Sequence, residues 1–154
     1  MKYHITTNLQ EMDFDLIHGF LTESYWSKGI SKAVLKKAFD NSLCFAILKE
    51  DQHKGAEQLG FARMITDRST FAYLADVFIL PEYRGQGLSK QLMEYIINHS
   101  DLQGLRRMML ATADAHELYK KFGFTALSDE KLFMESWDPD VYKSSLKKKY
   151  VDSR

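Results

Sequence analysis

A chain of 154 residues, 45% hydrophobic and 13% aromatic, can bury about two-thirds of its unfolded surface, so we expect one domain over residues 1–137 and a polar tail over 138–154. Its 21 basic and 21 acidic side chains cancel, which argues against nucleic acid as a general partner, because a basic face supplies most of that affinity. The single cysteine excludes an internal disulfide, MKYHITTNLQ lacks an apolar signal core and no run is long enough for a membrane span, so a cytoplasmic protein without a membrane partner is expected.

Residues 3–7 alternate weakly and read as a first strand. Asp13 precedes a stripe at Ile17, Phe20, Leu21, Ser24 and Tyr25, which reads as a first helix. SYWSKGIS ends it at Gly29, and Ser31 caps a second short helix striped by Val34, Leu35, Ala38 and Phe39. Residues 43–49 are a strand. Cys44, inside LCFAIL, reads as a buried small apolar group rather than a nucleophile. EDQHKGAE is a hairpin loop leading to a strand over 58–66, and DRST is the next turn. Residues 71–80 read as a central strand, apolar enough to be covered on both faces.

The most informative stretch is VFILPEYRGQGLSKQLMEYII, residues 77–97. VFIL suits a buried strand, and Pro81 cannot donate to a ladder. Gly85 and Gly87 precede a helix whose stripe is Leu88, Leu92, Tyr95, Ile96 and His99. The first amides of a helix lack internal partners and sit at the positive end of its dipole, and glycines let a phosphate approach closely. A nucleoside-triphosphate loop would need Lys and Ser or Thr after the second glycine, where Leu88 and Ser89 stand. A dinucleotide fingerprint would need glycine at Lys90 and an acidic residue near Leu105. SDLQG is then a connector and RRMMLAT a strand. Asp114 with Glu117 reads as a capping box for a helix burying Ala115, Leu118, Tyr119 and Phe122, stopped at Gly123. FTAL and KLFMES read as a last hairpin of strands. The order β, α, α, β, β, β, α, β, α, β, β gives an α+β fold, antiparallel in the middle with late crossovers.

Within that stretch PEYRGQGLS resembles the acyl-CoA-binding motif of the GCN5-related N-acetyltransferases (GNAT), Gln/Arg-x-x-Gly-x-Gly/Ala, with Arg84, Gly87 and Ser89 at the defined positions. Ser89 departs from the usual Gly or Ala but is small. ATADAHELYKKFGF resembles the family's Asn-x-x-Ala-x-x-Leu-Tyr-x-x-x-Gly-Phe through Ala115, Leu118, Tyr119, Gly123 and Phe124, with Thr112 where Asn is usual. The resemblance spans the chain and implies a mixed, mostly antiparallel sheet flanked by helices. It implies acetyl transfer from acetyl-CoA, with no metal, to a primary amine of a small or amino-acid-like acceptor by direct attack in a ternary complex. A protein acceptor and a homodimer stay open, and a non-catalytic acyl-CoA-binding or sensing module is the rival reading. Backbone groups of Val77, Phe78 and Ile79 would meet the pantetheine arm. Arg84, Gly85, Gln86, Gly87, Leu88 and Ser89 would hold the pyrophosphate, and the Thr112 hydroxyl would partly replace the missing Asn.

The leaving thiolate has a conjugate acid near 8.5 by analogy with cysteine, so a phenol with pKa about 10 can protonate it. Tyr119 sits where the family's acid does; its alternative is a stripe aromatic. Asp76 is either the base, its pKa raised by burial, or the partner of an ion pair, and a water-relayed base is the third option. With Thr66 opposite Phe71, Phe61 would face Asp76 and Arg63 would lie diagonal to it. For the acceptor, related proteins point to Ser24, Tyr25 and Trp26, and less directly to Phe133. An aromatic wall suits a cation, although Tyr25 could equally be core. Glu23 and Asp67 are either charge partners of the substrate or solvated.

Overall fold

The computed structural model describes residues 2–143. Nine regular elements follow one another: β1 (Tyr3–Thr6), α1 (Phe14–Glu23), α2 (Lys32–Asp40), β2 (Leu43–Asp51), β3 (Gly55–Thr66), β4 (Phe71–Ile79), α3 (Leu88–Ile97), β5 (Arg107–Leu110) and α4 (His116–Lys120). The strands form one sheet in the order β1-β2-β3-β4-β5. Every neighbouring pair is antiparallel except β4 and β5, which are parallel and joined through α3. This is the expected mixed α+β class. Two compact units share the chain: one runs through Asp13 and over Ala38–Thr125, the other covers Phe14–Lys37 and continues from Ala126.

The first unit holds the sheet, α3 and α4. Its core gathers Phe45, Ile47, Ala62, Met64 and Leu74 from the strands with Leu92, Met93 and Ile96 from α3. Leu88, Leu92 and Ile96 recur at helical spacing, so α3 presents one apolar face. Tyr95 falls outside that face and is exposed, while Met93 takes its place. The strands buried along continuous stretches are β2 and β3. β4 is interior to the sheet, between β3 and β5, but its burial alternates instead of covering both faces as the sequence suggested. Gln58, itself buried, is satisfied by accepting from the Asp13 amide (2.7 Å) and donating to the Gly60 carbonyl (3.2 Å).

The β3–β4 turn is longer than a tight hairpin. Asp67 Oδ1 accepts from the amides of Ser69 (2.9 Å), Thr70 (2.7 Å) and Phe71 (3.2 Å), and the Thr70 hydroxyl, donating to the same carboxylate, leads these bonds in holding Asp67 well below the usual carboxylate range. Asp67 therefore builds the turn. The register follows from it: Thr66 pairs with Ala72, one residue on from the expected Phe71.

α4 begins on a Thr112 turn, not on the expected capping box. Thr112 Oγ1 accepts from the amides of Ala115 (3.0 Å) and Asp114 (3.4 Å), and Glu117 turns outward to Lys120. Its end matches expectation: Gly123 takes φ 90°, with Phe124 N–H bonding Tyr119 O and Gly123 N–H bonding Lys120 O, the paired bonds of a left-handed helix stop.

In the second unit Ile17 and Leu21 are buried one turn apart on α1, and Leu35 is buried on α2. Ser31 Oγ accepts from Val34 N–H (3.2 Å), as a cap should, though Val34 itself is exposed. The expected final hairpin is absent. Among the described residues no strand follows β5, and the segment carries only a single 3-10 turn, Glu130–Leu132. A short apolar run makes a strand only when a neighbouring edge receives its amides; here Met134 is 98% exposed. Residues 144–154 of the expected polar tail lie outside the described residues.

Candidate active site

Two departures from regular strand geometry shape β4. The first is a bulge. Arg63 pairs with Ala75 and Phe61 with Phe78, so Asp76 and Val77 stand opposite the single residue Ala62. Asp76 holds φ 58°, a left-handed conformation that Asp tolerates better than most side chains. The second is that β5 ends early. Leu110 pairs with Leu74, and no described strand runs along residues 75–79 on that side. Past this bare stretch Pro81–Tyr83 forms a 3-10 turn, and the chain enters the glycine loop.

Gly85 and Gly87 both take φ 78°, and a Cβ on either would meet no atom within 4 Å. Gly87 is the residue before α3, and no side chain caps the helix. Arg84 Nε donates to the Ile79 carbonyl (3.0 Å), folding the loop back onto the end of β4. Leu88 is buried beneath while residues 84–87 are exposed. The loop thus offers open space over two left-handed glycines at the positive end of a ten-residue helix, an arrangement that suits a phosphate.

Val77 lies in the bulge and Phe78 and Ile79 follow it, with Phe78 and Ile79 buried and Val77 packed against the core; their side chains are core, leaving backbone to meet a ligand. Tyr119 is 8% exposed, its ring edge-on to Phe124 with centroids 6.0 Å apart. The Thr112 hydroxyl accepts two amide bonds at the head of α4 and keeps its own proton to donate.

Asp76 is paired. Arg63 Nε donates to Asp76 Oδ2 at 2.7 Å, with the two side chains 15% and 5% exposed, and Arg63 Nη1 donates to Ser42 Oγ (3.2 Å). Phe61 faces Phe78, not Asp76 as the sequence register suggested. Cys44 lies close by, buried as expected, and burial foremost, with Asp76 and Asp40 adding and Arg63 opposing, pushes its thiol up to about 12.

Of the acceptor candidates, Ser24 is buried, donating to the Leu21 carbonyl (2.7 Å) and accepting from Ser27 N–H (3.1 Å); its hydroxyl closes the end of α1. Tyr25 is 68% exposed, so it is not core: α1 ends at Glu23 before the stripe reaches it. Trp26, 40% exposed, stacks edge-on against Tyr25 at 5.0 Å. Phe133 is half-buried, and Glu23 pairs with Lys28 at 3.4 Å on the surface. The sequence did not reveal the bulge, the Arg84 bond to Ile79, the Arg63 bond to Ser42 or the Tyr3–Gln86 and Tyr83–Glu57 bonds; an Asp inside an apolar strand was the one available signal. Among the described residues no helix is long and apolar enough to cross a membrane.

Residues 40–126 match the model of the acetyltransferase (GNAT) domain. A Gibberella zeae protein described as an acetyltransferase is 34% identical over 137 residues, covering 77% of this chain and 76% of that one. The crystal structure of a Xanthomonas campestris protein assigned to the GNAT family is 45% identical, with a TM-score of 0.88 over 94% of this chain and 99% of its own. N-acetylglutamate synthase from Neisseria gonorrhoeae, solved with coenzyme A and L-arginine, shares the fold alone, with a TM-score of 0.63 at 16% identity over 86% of this chain and 29% of that one. With the glycine loop, the bulged β4 and the Tyr119 segment all falling inside the matched residues, this chain belongs to the GCN5-related N-acetyltransferase family and is an acetyltransferase.

Proposed function

We propose that the protein transfers acetyl from acetyl-CoA to the primary amine of a small or amino-acid-like acceptor, by direct attack while both substrates are bound. The observation that carries the reading is the sequence of features along β4: a bulge, a stretch that outruns β5, and then two left-handed glycines at the start of α3. In this reading Arg84, Gly85, Gln86, Gly87, Leu88 and Ser89 receive the pyrophosphate. Backbone groups of Val77, Phe78 and Ile79 align the pantetheine arm, one amide facing the developing oxyanion. Thr112 donates its hydroxyl to the donor.

The acyl step forms a C–N bond to the amine and breaks the thioester C–S bond, and the thiolate takes its proton from Tyr119. Because Arg63 already holds Asp76, Asp76 is given the role of fixing the bulge, and the ammonium proton leaves through water. The exposed pair Tyr25 and Trp26 supplies ring faces for a cationic acceptor, with Ser24 shaping the turn that presents them.

The test is release of CoA thiol across a panel of amines. Tyr119→Phe is expected to lower kcat by about 100-fold or more while CoA binding stays within about two-fold of wild type. An unchanged kcat removes Tyr119 as the acid, and turnover confined to lysine peptides redirects the acceptor to protein.

A further inference from the structure

The glycine loop is held from below by two side chains that neither family motif contains, Tyr3 and Glu57. Tyr3 on β1 pairs with Lys49 on β2, and Lys49 pairs with Glu57 on β3. Residues directly opposite in antiparallel strands project from the same face, so the three form one row across three strands. The loop lies over that row at two points. Tyr83, just before the glycines, donates its hydroxyl to Glu57 Oε1 at 2.8 Å, and Gln86, between the glycines, accepts from the Tyr3 hydroxyl at 3.3 Å. Lys49 Nζ stands 6.0 Å from the centre of the Tyr83 ring, at the limit of a cation–π contact. Both tyrosine rings also pack against the main core, so the hydroxyls extend from anchored rings. The Glu57 carboxylate, accepting that hydrogen bond, raises the Tyr83 pKa above its ordinary value.

We propose that Tyr3, Glu57 and Tyr83 are positioning residues for the donor: they hold residues 84–87, with Gly85 and Gly87 left-handed, in the conformation that receives the pyrophosphate, before any ligand arrives. The physical reason is entropic. A loop with two glycines has the most backbone freedom to lose on binding, and a loop already held in its binding conformation loses less of it at the binding step. One tie before the glycines, from β3, and one between them, from β1, restrain the loop, and a Cβ on either glycine would still meet no atom within 4 Å. This rests on the donor reading above, and it concerns affinity for the donor rather than the acyl step.

The experiment is calorimetric titration with CoA of wild type, Tyr3→Phe, Tyr83→Phe, Glu57→Leu, Glu57→Gln and the double variant Tyr83→Phe/Glu57→Leu, each with a melting temperature. Tyr3→Phe, Tyr83→Phe and Glu57→Leu are expected to weaken CoA by about two- to ten-fold, the range of one hydrogen bond. Glu57→Gln, which keeps an acceptor oxygen, should bind like wild type, and the double variant should be no weaker than the weaker single. Melting temperatures within about 3 °C of wild type would separate this from general destabilisation. CoA affinities unchanged in all three variants, or weakened only in step with melting temperature, overturn the proposal. Wild type failing to bind CoA at all overturns the donor reading itself, so the two failures are distinguishable.

Discussion

Arg63 of β3 and Asp76 of β4 meet at the bulge, and the cost of separating them follows from their burial. Removing the guanidinium takes the ion-pair partner from a carboxylate 5% exposed on a residue already held at φ 58°. Arg63→Met should therefore destabilise by about 3–5 kcal/mol in chemical denaturation. Asp76→Asn, which keeps a polar side chain suited to the left-handed region, should cost less. Cys44 gives the pH dependence. Its thiol is raised to about 12 in the folded protein, against an unfolded value near 8.5. The folded state therefore favours the neutral thiol, and that contribution is complete below about pH 8.5 and lost as pH rises towards 12. Wild type should lose more stability than Cys44→Ala between pH 8 and 10, and native Cys44 should resist alkylation that the unfolded chain accepts. A native labelling rate equal to the unfolded one would show the thiol is not sequestered.

At the scale of elements, α3 and its loop carry the binding geometry. Gly87→Ala places a Cβ on a residue at φ 78°, a conformation that costs an L residue about 1–2 kcal/mol although nothing crowds the new atom in the free protein. Stability should fall by about that amount. CoA affinity should fall further, because the methyl group also occupies space over the loop; equal losses in both would mean the glycine serves the backbone alone. The loop and the helix after it were legible in the sequence because their determinants are local: two glycines, a proline and an apolar stripe. Tyr95 was misjudged because spacing alone did not tell it from Met93 at the edge of that stripe. The capping box failed at α4 because the helix starts at His116 with Ala115 at its N-cap, which leaves Asp114 one position too early to cap it.

Across the whole molecule, the sheet order and the late parallel crossover agree with the order of elements read from the chain through α4. The sequence by itself determined the family, the glycine loop, the Tyr119 segment and its Gly123 stop, and the burial of Cys44, since each depends on neighbours in the chain or on a side chain's own chemistry. Tertiary structure decided what depends on partners distant in sequence. The β3–β4 register slipped by one residue because Asp67 drew three amides into the turn, and the bulge then set Asp76 beside Arg63. The last short apolar segment formed no strand, because a ladder needs a second edge that no hydrophobic pattern can guarantee. Even the tie from Tyr3 to Gln86 spans 83 residues, a separation at which only the assembled sheet brings a hydroxyl to the loop.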